Sequence, residues 1–141
     1  MLHEQIVSLS SYRLSKAKET YATSLENLEK GRYLDANNRA YYAIFHAMRS
    51  ILALDNVDFK KHSAVISNFR ENYIKTKRLD RNLSDIIGRA SMVRNKSDYE
   101  DFYIASRDEA EIQVNDAKQF IAAVERYLED RWQAIDLGGL V

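Results

Sequence analysis

The sequence predicts an all-α protein, an up-and-down bundle of four to five helices. Three observations lead there. Proline is absent from the 141 residues and glycine occurs only four times, at positions 31, 88, 138 and 139. Sheet hairpins draw on Gly, Pro and Asn-Gly for their tight turns, and this chain barely supplies them. Apolar residues also recur at spacings of three and four over most of the length, the period of a helix with one buried face. The chain is long enough for one domain with a single core and too short for two. That domain is assigned to residues 1–136, with 137–141 expected as a frayed tail.

The elements follow in order. The first helix is expected over Leu2–Glu29, with Leu14, Ala17, Tyr21, Leu25 and Leu28 on one face and Gly31 as its stop. The second spans Leu34–Leu54. Its face of Leu34, Tyr41, Ile44, Met48 and Ile51 is widened by Phe45 and Leu52, so more than half its girth is apolar and it should be central. Turn-forming Asp55-Asn56-Val57-Asp58 ends it. The third starts near Lys61 or Ser63 and runs to about Lys75, burying Val65, Ile66, Phe69 and Tyr73. The fourth starts near Asp80 or Leu83 and ends at Arg94 or slightly beyond, with Leu83, Ile86, Ile87, Ala90 and Val93 as its stripe. An acidic, aromatic linker, Asp98–Ala105, follows. Ser106-Arg-Asp-Glu109 fits a capping box that opens the last helix. There Ala110, Val114, Ala117, Ile121, Val124 and Leu128 repeat strictly 4-3-4-3-4, a bundle or coiled-coil seam that reaches toward Trp132.

Composition excludes several function classes. With no cysteine there is no disulfide scaffold, thiolate metal site or Cys nucleophile. No G-x-G-x-x-G or P-loop is present. Three scattered histidines without a His-x-x-x-His or Glu-x-x-His pair leave no metal cluster, and no cofactor is expected. No apolar run approaches the ~20 residues of a membrane span, and the first residues lack a signal-peptide pattern, so a cytoplasmic location is the expectation. The 21 basic and 21 acidic residues cancel overall but not along the chain. Residues 60–96 hold ten basic residues (Lys60, Lys61, Arg70, Lys75, Lys77, Arg78, Arg81, Arg89, Arg94, Lys96) against three acidic ones, while 97–141 hold four basic and eleven acidic. The basic segment suits phosphates unless the acidic one packs beside it and neutralises it.

Two stretches can carry chemistry. On the second helix Arg39, Tyr42, His46 and Arg49 are spaced 3-4-3 and form one polar stripe, suited to phosphate or nucleotide contacts or to a satisfied polar layer. On the fourth, Arg94 continues an apolar stripe, so its guanidinium needs a carboxylate or a phosphate. Asp98 lies one turn on, with Tyr99 after it, and an Arg94–Asp98 pair closing the helix is the structural alternative. His62, after Lys60-Lys61, is either a charge-switching group or an exposed or capping histidine.

These blocks together (Arg39-Ala-Tyr-Tyr-Ala-Ile-Phe-His-Ala47, Lys61-His62-Ser63, Arg94-x-x-x-Asp98-Tyr99 and Ser106-x-x-Glu109-Ala110) resemble the HEPN family, the higher eukaryotes and prokaryotes nucleotide-binding domains, over roughly residues 8–130. The resemblance implies a dimeric helical bundle, similar to substrate-binding subunits of nucleotidyltransferases. Many members are metal-independent endoribonucleases acting as toxins, and small members often neighbour a minimal nucleotidyltransferase in toxin–antitoxin-type pairs. Their motif is an Arg, often followed by a polar residue, and a His, with four to six residues between the two. Arg94 and Asn95 match the first two positions, while Tyr99 stands where the His is expected. A tyrosine of ordinary pKa near 10 is a poor base at neutral pH, but Arg94 can hold a phosphate and Tyr99 can stack. Arg39 and His46 meet the Arg/His spacing on another helix.

The leading expectation is therefore a nucleotide- or RNA-binding homodimer, paired with a nucleotidyltransferase and lacking the usual catalytic His. Arg94, Lys96, Asp98, Tyr99, Arg39, Tyr42, His46 and His62 are its binding residues. One alternative is an active endoribonuclease toxin using Arg94 and Asn95 with Tyr99, Asp98, His46 or His62. The other is a purely structural interaction bundle.

Overall fold

A computed structural model describes residues 3–136. The expected tail at 137–141 lies outside them. Five α-helices follow one another: α1 (His3–Glu29), α2 (Tyr33–Leu54), α3 (His62–Phe69), α4 (Asn82–Tyr99) and α5 (Arg107–Asp136). No strand occurs among the described residues.

The α1–α2 hairpin is set by its turn. Gly31 has φ +76°, and the amides of Gly31 and Arg32 bond back to the carbonyls of Leu28 (3.1 Å) and Asn27 (2.8 Å). This is a Schellman cap, whose left-handed residue is cheapest as glycine. The same geometry ends α2. Asn56 has φ 55°, and the amides of Asn56 and Val57 reach the carbonyls of Ala53 (3.1 Å) and Leu52 (3.0 Å).

Helix α2 packs against each of the other four helices. It contributes Ala40, Tyr41, Ala43, Ile44, Phe45, Ala47, Met48, Ile51 and Leu52 to the core, as its wide apolar face requires. The expected seam of α5 is buried from Ala110 to Leu128. It is spent within the chain, so it leaves no seam for a second copy. Leu25 and Leu34, expected on buried faces, stay at the surface, both close to the turn that joins the two helices.

Three boundaries differ from the sequence expectation. The third helix does not run as one α-helix to Lys75. It changes to a π turn at Arg70–Ile74, closed by the Lys75 amide on the Arg70 carbonyl at 2.9 Å. Asp98 and Tyr99 belong to α4, so the linker begins at Glu100. The capping box forms by half. The Ser106 hydroxyl accepts the Glu109 amide at 3.1 Å, but the Glu109 carboxylate takes the Tyr103 hydroxyl.

The π turn brings Tyr73 to the end of α2, where its hydroxyl donates to Asp55. Arg131 of α5 forks onto the same carboxylate at 2.9 and 3.2 Å. Burial pushes the Asp55 carboxyl up, but the Arg131 and Tyr73 hydrogen bonds outweigh it and hold it below the usual range. This clamp joins three elements. Asp55→Ala strands both partners and is expected to cost about 2 kcal/mol, read as a lower urea midpoint with an unchanged slope. The lowered native pKa means the stabilisation is full above the ordinary carboxylate value near 4 and is lost as pH falls below it.

Candidate functional site

The site is built on one side of α2, where the central helix presents aromatic and cationic groups between α3 and α4. Tyr41 and Phe45 are buried, while Tyr42, His46 and Arg49 are partly covered. Tyr41 and Tyr42 meet edge to face with centroids 5.4 Å apart. Arg39 lies over the Tyr42 ring at 5.0 Å and is exposed.

Arg94 comes in from α4. Its guanidinium carbon is 4.6 Å from the Tyr41 ring centroid and 5.5 Å from that of Tyr42, close enough for attraction to both π faces. Its Nε is 3.4 Å from Asp98 one turn on, so the intrahelical pair exists beside the aromatic contacts. Burial works against its charge, but Tyr41, Tyr42 and Asp98 more than compensate and keep its pKa above the ordinary value.

His62 opens α3 and completes the cluster. Arg94 Nη1 lies 2.6 Å from its Nδ1, and the Tyr41 hydroxyl lies 3.1 Å from the same nitrogen. A guanidinium only donates, so Nδ1 is unprotonated and the proton of the neutral ring sits on Nε2. Burial lowers the His62 pKa, and the Arg94 and Arg49 charges lower it further. The imidazole also stacks on Phe45, with centroids 4.1 Å apart. Residues 32 apart in sequence thus place an Arg and a His in direct contact.

A second charged group adjoins the first. Asp58, just before α3, accepts from Arg49 (3.1 Å) and Arg13 (3.3 Å). His46 sits nearby, its pKa driven down to about 4 by burial and then by the charges of Lys16, Arg49, Arg39 and Arg13. The α1–α2 side of the site is therefore strongly cationic.

The remaining expected site residues lie further out. Asn95 is exposed on α4, and Lys96 is partly covered. Tyr99 is 82% exposed, and the rings against Arg94 are those of Tyr41 and Tyr42 instead. Sequence reasoning missed Tyr41, Phe45, Arg13 and Asp58. Tyr41 and Phe45 were counted as apolar face, and only the Tyr41 hydroxyl hinted otherwise. Arg13 and Asp58 become partners of Arg49 through the tertiary fold alone. The acidic segment covers little of the basic one. Among the described residues, Arg89–Asp116 at 2.8 Å is the ion pair that joins α4 to α5. No helix among the described residues is long and apolar enough to cross a membrane.

His46 supplies a pH test. Its native pKa is depressed, so the neutral ring contributes stability that is full above its ordinary pKa of 6.5. That contribution is lost as pH falls from 6.5 toward 4. Urea titrations across this range should show a decline on the order of 1–2 kcal/mol, flattened in His46→Gln. An unaltered decline in that variant would assign the effect elsewhere.

Comparison with known proteins places the chain in a family. Two proteins of Methanocaldococcus jannaschii, both named as candidate toxins, are similar to the chain. One is 31% identical over 116 residues, 82% of this chain and 78% of the relative. The other is 28% identical over 127 residues, 90% and 89% of the two chains. A UPF0332 protein of Thermotoga maritima is 27% identical over 119 residues, 84% of this chain and 90% of the relative. Residues 10–127, which take in α2, α3, α4 and most of α5, match the HEPN domain model, and the chain belongs to the HEPN domain family.

Proposed function

We propose that this HEPN protein is a toxin-type module that binds RNA or a nucleotide through the Arg94–His62–Tyr42 cluster. The observation that carries this is the 2.6 Å contact of Arg94 with a neutral His62. That contact leaves the Nε2–H of His62, the Tyr42 hydroxyl and the rest of the guanidinium as donors, a set suited to phosphate oxygens. Arg39, Lys96 and the Arg13–Arg49 group add positive potential around it. The toxin-type names of the relatives support a two-protein system, in which a nucleotidyltransferase is the expected partner. The protein works free in the cell interior.

A second reading is metal-independent RNA cleavage, and one observation favours it. A histidine touches the motif arginine although position 99 holds tyrosine. Once a phosphate draws Arg94 away, only the Tyr41 hydroxyl, which can rotate aside, still meets the Nδ1 lone pair of His62. That lone pair can then take the proton of a ribose 2′-hydroxyl. The 2′-oxygen attacks phosphorus, the 5′-oxygen leaves and takes a proton from solvent, and a 2′,3′-cyclic phosphate results.

One assay separates the two. The wild type, Arg94→Ala and His62→Gln are incubated with mixed tRNA and mRNA in EDTA. Salt-sensitive binding without cleavage, weakened about ten-fold or more in Arg94→Ala, supports the binding module. Cleavage lost in both variants supports the nuclease. Neither binding nor cleavage by the wild type overturns both.

The homodimer is proposed on a different surface from the α5 seam. Met92 of α4 and Ile112 of α5 flank a shallow cavity and are about half exposed, while Phe102 and Ile104 of the linker are almost wholly so. Met92 and Ile112 share that cavity, and a contiguous apolar patch there is what a second copy would cover. Sedimentation should give about twice the 16.4 kDa of one chain, and Met92→Asp with Ile112→Asp should return it to one.

A further inference from the structure

We propose that the cavity beside His62 is a nucleobase subsite that receives one unstacked base of a single-stranded RNA whose phosphate lies on Arg94. This rests on the phosphate reading of the cluster and extends it to a substrate class. The cavity encloses about 370 Å³ and is lined by Phe45, Arg49, Asp58, Phe59, Lys60 and His62. That is room for a base with its ribose.

Its walls have the right chemistry. Phe59 stands in the segment between α2 and α3 with about a third of its surface in solvent, between an acid and two lysines. An aromatic ring kept at the surface there offers a stacking face that the core does not use. Phe45 and His62 form a second aromatic wall, already stacked on each other at 4.1 Å. Stacking accepts any base, because every base has a π face.

The cations are placed for the backbone and not for the base. Asp58 pins Arg49 through two contacts of 3.1 Å. The carboxylate also accepts Arg13 and the Phe59 amide, so its oxygens are occupied and it serves to fix the wall. Lys60 makes no ion pair among the described residues and is free to meet a phosphate. His62 belongs to both places: its ring lines the cavity while its Nδ1 touches Arg94. Base and phosphate subsites are therefore one imidazole apart, within the reach of a single nucleotide. A paired, stacked base cannot enter, so the site selects single strands.

The test uses a labelled ten-nucleotide 2′-O-methyl oligoribonucleotide, which cannot be cut by 2′-oxygen attack. Its affinity is compared with that of the same sequence as a duplex. Inorganic tripolyphosphate, which has phosphates and no base, is the competitor. Phe59→Ala should weaken the single strand about ten-fold or more, and Phe59→Tyr should restore it. The tripolyphosphate constant should stay unchanged in both, and the duplex should bind at least ten-fold more weakly than the single strand. Phe59→Ala binding like the wild type overturns the subsite. So does an equal loss of tripolyphosphate affinity, which would mean that Phe59 only shapes the loop. A wild type that binds tripolyphosphate but prefers no single strand removes the subsite and leaves the phosphate reading standing. A wild type that binds neither removes both.

Discussion

The burial of α2 on nearly all sides is the constraint from which the other features follow. A helix with Tyr41, Ile44, Phe45, Met48, Ile51 and Leu52 below a tenth exposed cannot lie on a surface without leaving a large apolar area in water. It has to be the axis, with α1, α5, α4 and α3 arranged around it. Any group on the remaining polar strip is then flanked by two neighbouring helices. This is how Tyr42, His46 and Arg49 come to lie at an edge lined by α1, α3 and α4, and why a site forms there.

The same constraint explains the protonation state at the site. Groups beside the central helix lose solvent, and burial disfavours the charged form of an imidazole. His46 and His62 are both held neutral in this way, with neighbouring arginines acting in the same direction. Arg94 meets the same loss of solvent but keeps its charge, because two aromatic faces and Asp98 replace the water. A neutral imidazole beside a fixed guanidinium is a pairing that can hold an anion. It can also take a proton once the guanidinium is drawn off.

The overall fold and much of the candidate site were legible because their causes are local. The 4-3-4-3-4 run of α5 is buried end to end, and Gly31 stops α1 because its φ of +76° suits glycine. The π turn was not legible. It places Tyr73 on Asp55, 18 residues away and itself held by Arg131 of α5, a partnership that no local pattern announces. The half-formed capping box has a similar origin, since Tyr103 competes for Glu109. The α5 repeat fitted a bundle or a coiled-coil seam equally, because periodicity reports only that a face is buried and not which partner buries it.

By itself the sequence determined the helical architecture and the central place of the second helix, and it singled out Arg94 as a guanidinium in need of partners. Spacing along one helix settles which residues share a face, and composition settles what cannot be built. The tertiary structure alone decided that His62 meets Arg94, that Tyr41 turns its ring to the guanidinium, and that Asp58 ties Arg13 to Arg49. The partners in these contacts are nine to 53 positions apart in the chain, and all but Arg49–Asp58 more than twenty. No local preference couples residues at such distances. Only the packing of α1, α3 and α4 around α2 brings them within reach.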